Sequence, residues 1–341
     1  MSERDLSRYD RQMILPDVGR AGQEQLLRSR VAVAGCGALG SFAASLLARA
    51  GVGYLRLIDR DFVERNNLQR QILYDEDDVR SGLPKAVAAR DRLLRANSDL
   101  EIEAVVTDLD PGTALTALGG VDAIIDAVDN FEGRYLLNDV AIHLGIPWVY
   151  GAVISTYGLT MDIIPGQTPC LQCLLPQPPA PGTVETCATA GILAPVVGMI
   201  ASLQVTECLK MLLGSQELSL GLRQVDVWEG ELETRPIARN PECPACVHRR
   251  LEHLNAQTES RTVGLCGQDA GHVTVRDHTG ISLPALAAAL EPSAQVSLTP
   301  FLLRIAVEGC EMSIFPDGRA IIKGTTDPAT ARALYSKYVG V

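Results

Sequence analysis

Short apolar, β-branched runs alternate with stretches of helical periodicity through the first half of the chain. Val31 to Ala34 is such a run; a glycine turn and an apolar helix from about Ser41 to Ala50 follow it, and Tyr54 to Asp59 is the next strand. A helix from about Lys85 to Ala96 leads to a strand at Ile102 to Val106. Val121 to Asp126, a helix from about Gly133 to Leu144 and a strand near Trp148 to Val153 repeat the alternation. Strands separated by single helices predict an α/β fold with a doubly wound, mostly parallel sheet. Tyr157 to Ile164 reads as a strand with no helix before it, so the sheet gains a mixed-strand extension.

Pro176-Gln-Pro-Pro-Ala-Pro-Gly182 resists regular structure and reads as an exposed, semi-rigid loop. The uncharged run Ala188 to Thr206 is just long enough to raise a membrane span. It carries Gly191, Pro195, Gly198, Ser202 and Gln204 without a basic flank, and so predicts a buried core helix. A strand around Gln224 to Trp228 follows. The texture then changes. His253 to Ser260 is polar, and residues 253–261 read as a linker. From Thr262 the chain shows short strands (His272 to Arg276, Phe301 to Val307, Met312 to Phe315, Arg319 to Lys323), two helices and a Pro316-Asp317-Gly318 turn signal. The expected organisation is a large domain over 1–252, that linker, and a small α+β domain over 262–341.

Composition narrows the function. The 341 residues are 47% hydrophobic and carry 41 acidic against 30 basic side chains, a net charge of −11. A general nucleic-acid binder neutralises phosphates and should be basic, so no nucleic-acid partner is expected. The N-terminus, MSERDLSRYDRQ, lacks the apolar core of a signal peptide. Nine cysteines are an odd number and too few for a secreted disulfide scaffold, which points to a reducing, cytoplasmic location and no membrane.

Gly35-Cys36-Gly37-Ala38-Leu39-Gly40 follows a strand and opens a helix, a Rossmann-like context in which G-x-G-x-x-G binds a nucleotide. Glycine permits the tight turn, and the helix N-terminus offers free N–H groups to phosphate or sugar oxygens. Asp59, ending the second strand, suits ribose hydroxyls. The motif alone does not separate a dinucleotide oxidoreductase from an ATP enzyme. The stretch Asp61-Phe-Val-Glu-Arg-Asn66-Asn67-Leu-Gln69-Arg70-Gln71, followed by Lys85 after Pro84, favours ATP. A triphosphate attacked by a carboxylate needs such cations, and a dehydrogenase does not. Asp129-Asn130 follows a strand at its carboxyl end, where an acid can hold Mg²⁺ against phosphates.

Together Arg8-Tyr9-Asp10-Arg11-Gln12, Gly35 to Gly40, Asp59-Arg-Asp61, Asn67-Leu-Gln-Arg70-Gln71, Pro84-Lys85 and Asp129-Asn130 resemble the ThiF/MoeB/HesA family of ubiquitin-activating-like adenylyltransferases, from about Ser7 to Val247. The resemblance implies that Asp59 binds the ATP ribose, that Asn67, Arg70 and Lys85 contact phosphates, and that Asp129 holds Mg²⁺. It also implies that Arg11 reaches into a neighbouring subunit's nucleotide site, hence a homodimer. The substrate it implies is the C-terminal glycine carboxylate of a small ubiquitin-like sulfur-carrier protein with a Gly-Gly tail, adenylated in preparation for thiocarboxylate formation. Asp61, Gln71 and Asn130 join Gly35, Gly37, Gly40 and Asp59 as expected nucleotide-site residues. Alternatives are a threonylcarbamoyladenosine dehydratase acting on tRNA within the same fold, a nicotinamide oxidoreductase, or a non-catalytic binding module.

Cys170-Leu-Gln-Cys173 and Cys243-Pro-Ala-Cys246 share a two-residue spacer. Two such pairs can close a tetrahedral structural Zn²⁺ site, tying a loop to the end of the domain. Cys187 lies between the proline-rich loop and the long apolar helix, where a helix dipole would favour its thiolate. It resembles the family cysteine that in some members bonds the activated carrier or takes part in sulfur transfer. Cys36, Cys208 and Cys310 lie in apolar stretches and read as core. No rhodanese-like Cys-Arg loop occurs in the last 80 residues, so a sulfur donor would be a separate partner.

Overall fold

The computed structural model describes residues 5–179, 187–256, 261–264, 270–274, 281–291, 294–325 and 327–340. The chain divides into two compact units: Met1–Val184 with Ile192–Ala256, and Glu185–Gly191 with Gln257–Val341.

The first unit begins with two short helices, α1 (Asp10–Met13) and α2 (Gly19–Leu26). There follow β1 (Arg30–Ala34), α3 (Ala38–Ala50), β2 (Tyr54–Ile58), α4 (Glu76–Ser81), α5 (Lys85–Ala96) and β3 (Glu101–Val105). Next come α6 (Ala114–Leu118), β4 (Ala123–Asp126), α7 (Phe131–Leu144), β5 (Trp148–Ile154) and β6 (Tyr157–Ile163). The large sheet runs β3-β2-β1-β4-β5-β6 and is completed by β7 (Leu222–Asp226) and β8 (Glu231–Arg235). β1 to β5 pair in parallel, and β6, β7 and β8 each join antiparallel. Strand order therefore reverses between β1 and β4, which opens a crevice at their carboxyl ends.

β1 is buried on both faces. Val31 and Val33 join a core with α3 and α5, whereas Ala32 and Ala34 join a second core with α6 and α7. This two-sided burial explains why the central strands read as continuous apolar runs. Between α8 (Leu171–Leu174) and β7 lie the four-residue α9 (Cys187–Ala190) and the long α10 (Ala194–Leu213). By length and composition α10 could cross a membrane, but it packs against α3, β4, β5 and β6. Its Gln204 donates to the carbonyls of Asp126 (2.7 Å) and Val149 (3.1 Å), and Gly151 leaves room for it: a Cβ there would fall 2.3 Å from Gln204 Nε2.

The second unit holds an antiparallel six-stranded sheet. Its elements are β9 (Arg261–Gly264), β10 (Ala270–Thr274), α11 (Leu283–Leu290), β11 (Gln295–Leu298), β12 (Leu303–Val307), β13 (Cys310–Ile314), β14 (Ala320–Lys323) and α12 (Pro328–Tyr338). Its core is built from Leu303, Ile305, Met312, Ile314 and Ile322 with Leu334 and Tyr335 of α12.

Several elements depart from the sequence reading, among them the short helices α1, α2, α4, α6 and α8 and three strands. The strands β8, β9 and β11 were not expected, because Glu231-Leu-Glu-Thr-Arg235 and its counterparts lack an apolar run and are held by pairing with neighbours. The beginning of the expected linker is docked: the N–H groups of His253 and Leu254 donate to Asp139 Oδ2 of α7 at 2.9 and 3.3 Å. Residues 257–260 lie outside the described residues.

Candidate active site

The glycine turn sits at the end of β1, in the crevice. Gly35 has φ +96°, and a Cβ on it would lie 2.4 Å from Ala127 O; a Cβ on Gly40 would lie 1.9 Å from Gly35 O. Only glycine lets the turn press this closely on the loop after β4. Gly37 caps α3, whose first N–H groups face the crevice. Gln71 is 3% exposed, with its Nε2 3.8 Å from the position of a Gly37 Cβ, and its buried Oε1 has no hydrogen-bond partner among the described residues. A buried amide oxygen with no donor, beside a bed of glycine backbone, fits a polar ligand that supplies one.

Asp59 follows β2. Its two oxygens accept from the N–H groups of Cys36 and Asp61, each at 2.7 Å, which fixes the carboxyl across the glycine turn. Burial raises its pKa to about 6, against the opposing pull of Lys85. Lys85 opens α5, 7% exposed, and its Nζ donates to Asp61 Oδ2 at 3.0 Å. Burial would weaken its basicity, but Asp61, Asp59 and Asp129 together raise it, so the ammonium stays charged. Tyr74 ties these parts together, its hydroxyl donating to Cys36 O at 2.7 Å and lying 3.2 Å from Lys85 O.

Beneath the crevice Asp126, fully buried, accepts from Arg134 Nε at 3.3 Å, and Arg134 Nη2 donates to Val128 O (2.9 Å) and Gly151 O (3.1 Å). Burial raises the Asp126 pKa and Arg134 opposes it. This buried pair sets the loop that carries Asp129. Asn130 caps α7, its Oδ1 accepting from Gly133 N at 2.7 Å while its Nδ2 donates to Asp129 Oδ1 at 3.2 Å. Mg²⁺ characteristically takes one or two carboxylates and leaves the rest of its shell to phosphates and water, so an Asp129 carboxylate near Lys85 suits it.

The structure thus gathers Gly35, Gly37, Gly40, Asp59, Asp61, Gln71, Lys85 and Asp129 around one crevice. Others lie differently. Asn67 is buried and holds its own turn, accepting from Glu64 N at 3.2 Å and donating to Asn66 at 2.7 Å. Arg70 donates to Asn66 O at 2.9 Å. Arg11 is exposed on α1. Cys187 opens α9, which groups with the second unit, and its side chain lies outside the described residues. Arg60, Tyr74 and Arg134 were missed. Arg60 stood in the quoted Asp-Arg-Asp triplet, whereas nothing in the sequence singled out Tyr74 or Arg134.

Away from the crevice the four paired cysteines converge. Cys170 and Cys243 sulfurs are 3.6 Å apart, as are those of Cys173 and Cys246, and all four fall within 4.8 Å of one another. A tetrahedron of Zn–S bonds of about 2.3 Å has edges of about 3.8 Å, so the donor set fits zinc. The four-cysteine group bridges α8 to the tail of the unit.

The profile described as the ThiF family matches residues 9–245. The chain belongs to the ThiF family. It is 40% identical over 336 residues to the sulfur carrier protein ThiS adenylyltransferase of Bacillus subtilis, covering 98% of this chain and 99% of that protein. The SAMP-activating enzyme E1 of Haloferax volcanii is 43% identical over 71% of this chain and 88% of its own. The sulfur carrier protein adenylyltransferase of Thermus thermophilus is 41% identical over 72% of this chain and 92% of its own. Likeness to ThiF-family members of this closeness makes the protein an adenylyltransferase. Among solved structures, E. coli MccB with ATP matches with a TM-score of 0.61 at 23% identity, over 72% of this chain and 76% of that one, which shows the shared fold.

Proposed function

We propose that this ThiF-family enzyme uses ATP and magnesium to adenylate the C-terminal glycine carboxylate of a ubiquitin-like sulfur-carrier protein. The observation that carries the reading is the convergence of the glycine turn, Asp59, Lys85 and Asp129 at the switch between β1 and β4. Asp59 suits the ribose and the glycine turn suits the phosphates. The attacking carboxylate is already ionised, so the reaction needs no general base. It needs positioning of the tail against the α-phosphorus and cations for the charge that grows as pyrophosphate leaves. Lys85 supplies one such cation from within the chain, and Arg70 supplies another once it turns from Asn66 O. Arg11, exposed on α1, would act on the site of a second copy, which makes the working form a homodimer. Magnesium held at Asp129 would add its charge to the same phosphates. The four-cysteine group would hold a structural zinc with no position open for chemistry. Cys187 would act only after adenylation, in passing the carrier on to a separate sulfur donor.

A carrier of the ThiS type is favoured, because the Bacillus subtilis relative matches nearly the whole chain and so includes the second unit. ATP–pyrophosphate exchange with purified carriers tests the proposal. Exchange is expected with a ThiS-type carrier and not with one lacking its terminal glycines. Exchange that ignores the carrier, or its absence with every ubiquitin-like carrier offered, would refute it.

A further inference from the structure

A cavity of about 330 Å³ opens between the far halves of α3 and α5, the ends that point away from the glycine turn and Lys85. Ser45 and Arg49 of α3, Arg92, Leu93 and Arg95 of α5, and Leu73 from the segment leading into α4 line it. Its floor is apolar: Leu73 and Leu93 belong to the core beneath and are 5% and 1% exposed. Its rim is cationic, with three guanidiniums in a chain whose net charge is −11. Arg92 Nη2 donates to Asp75 and lies 3.8 Å from Asp78 Oδ2, while Arg92 Nε is buried with no hydrogen-bond partner among the described residues. Arg49 and Arg95 are exposed and make no hydrogen bond or ion pair with any described residue. The acids nearest to Arg95 in sequence are engaged elsewhere, Asp91 with Arg90 at 2.7 Å and Asp99 with Arg8 at 3.6 Å.

Each arginine taken singly has an ordinary role. Arg49 and Arg95 stand in the last turns of their helices, where a cation favours the helix dipole. The dipole does not require two helix ends to meet at one cavity of ligand size, nor a third guanidinium nitrogen to be buried there unpaired. Guanidiniums on either side of an apolar floor suit an anion that carries an apolar body. A phosphate monoester brings about two negative charges at neutral pH, which matches the two uncommitted arginines; a carboxylate brings about half of that. We propose that this cavity is a second ligand site, separate from the nucleotide crevice, for a small phosphate monoester with an apolar body. The phosphate takes charge-assisted hydrogen bonds from Arg49 and Arg95 and gives Arg92 Nε the acceptor it lacks, while the body covers Leu73 and Leu93. The ligand is bound there and not transformed.

Titration calorimetry of the full-length protein with phenyl phosphate tests the assignment. Saturable binding is expected. R49A and R95A should each weaken it by about tenfold, the scale of losing a charge-assisted hydrogen bond, and the double variant should abolish it. R49Q and R95Q remove the charge and keep much of the side chain, and they serve should an alanine variant fail to fold. Inorganic phosphate has no body for the floor and benzoate has less charge, so each should bind about tenfold more weakly than phenyl phosphate. K85A should keep the wild-type affinity, because the probe lies outside the crevice. Three results would overturn the proposal: no saturable binding to the wild-type protein, unaltered binding in R49A/R95A, or a loss in K85A as large as in R49A/R95A, which would place the probe in the crevice. Unaltered phenyl phosphate binding in R49A/R95A together with weakened use of the carrier in pyrophosphate exchange would assign the arginines to a protein partner instead. Phenyl phosphate binding is read without ATP or carrier, so failure of the adenylation reading leaves this result standing.

Discussion

Replacing Asp162 with asparagine should make the protein less sensitive to alkaline pH. Asp162 of β6 is 2% exposed and meets Glu207 of α10, which is fully buried. Glu207 is held by donors and charge: Lys210 Nζ donates to Oε1 at 2.9 Å, Ser219 N to Oε2 at 3.0 Å, and the Arg223 guanidinium forms an ion pair with Oε1 at 2.8 Å. Among the described residues neither oxygen of Asp162 has a hydrogen-bond partner, so nothing there holds the buried carboxyl in its charged form. Burial first, and then Glu207, push the Asp162 pKa up to about 8; the donors around Glu207 outweigh its burial and hold it at about 2.

The sign of the effect follows from proton counting. An unfolded chain loses the Asp162 proton near pH 4, whereas the folded chain keeps it until about pH 8. Between those values the folded state binds one more proton, so stability falls as pH rises, by about 1.4 kcal/mol per unit. From pH 6 to pH 8 the loss from this group comes to about 2–3 kcal/mol, and above pH 8 it levels off. Glu207 adds no slope in that window, being ionised in both states. The amide introduced by D162N keeps the size of the protonated carboxyl and has no proton to lose. Urea denaturation of both proteins at pH 6, 7, 8 and 9 should show the stability difference moving in favour of D162N by about 2–3 kcal/mol between pH 6 and 8, then holding constant. Parallel pH curves for the two proteins would refute a raised Asp162 pKa.

Three further outcomes are expected. G40A places a methyl group 1.9 Å from Gly35 O, so the turn must shift; Mg·ATP affinity should fall more than about tenfold and stability by roughly 1–3 kcal/mol, read by calorimetry and thermal melting. Asp59, held near pH 6, should lose its charge as pH falls through that value, so nucleotide affinity should weaken below pH 6 and D59N should flatten the profile. Metal analysis should find one zinc per chain, and C243S should lower the melting temperature markedly while leaving pyrophosphate exchange per folded molecule unchanged.

Much of what gathers in the crevice stood out in the sequence because its parts are short local signals. The glycine turn, Asp59 and Pro84-Lys85 are each fixed by a strand end or a helix start next to them in sequence. The helix from Lys85 to Ala96 appears with those bounds, since proline at its start and an alternating apolar face specify it locally. The Cys-x-x-Cys pairs stood out for the same reason, and the fold brings their four sulfurs together. Asn67 and Asn130 read as ligand residues, and in the fold they also hold backbone turns, a second task that sequence spacing does not reveal. β8 stayed hidden because a polar edge strand has no apolar period of its own.

By itself, then, the sequence determined the alternation of strands and helices, the glycine-and-acid signature and the two thiolate pairs, because each depends on residues a few positions apart. Tertiary structure alone decided the rest. Only folding brings Arg60 to Asp108, carries Tyr74 onto the glycine turn, sets Arg134 against Gly151 and seals Asp162 against Glu207. Those contacts join residues far apart in the chain, and their energies come from burial and charge pairing, which exist only once the sheet has closed over them.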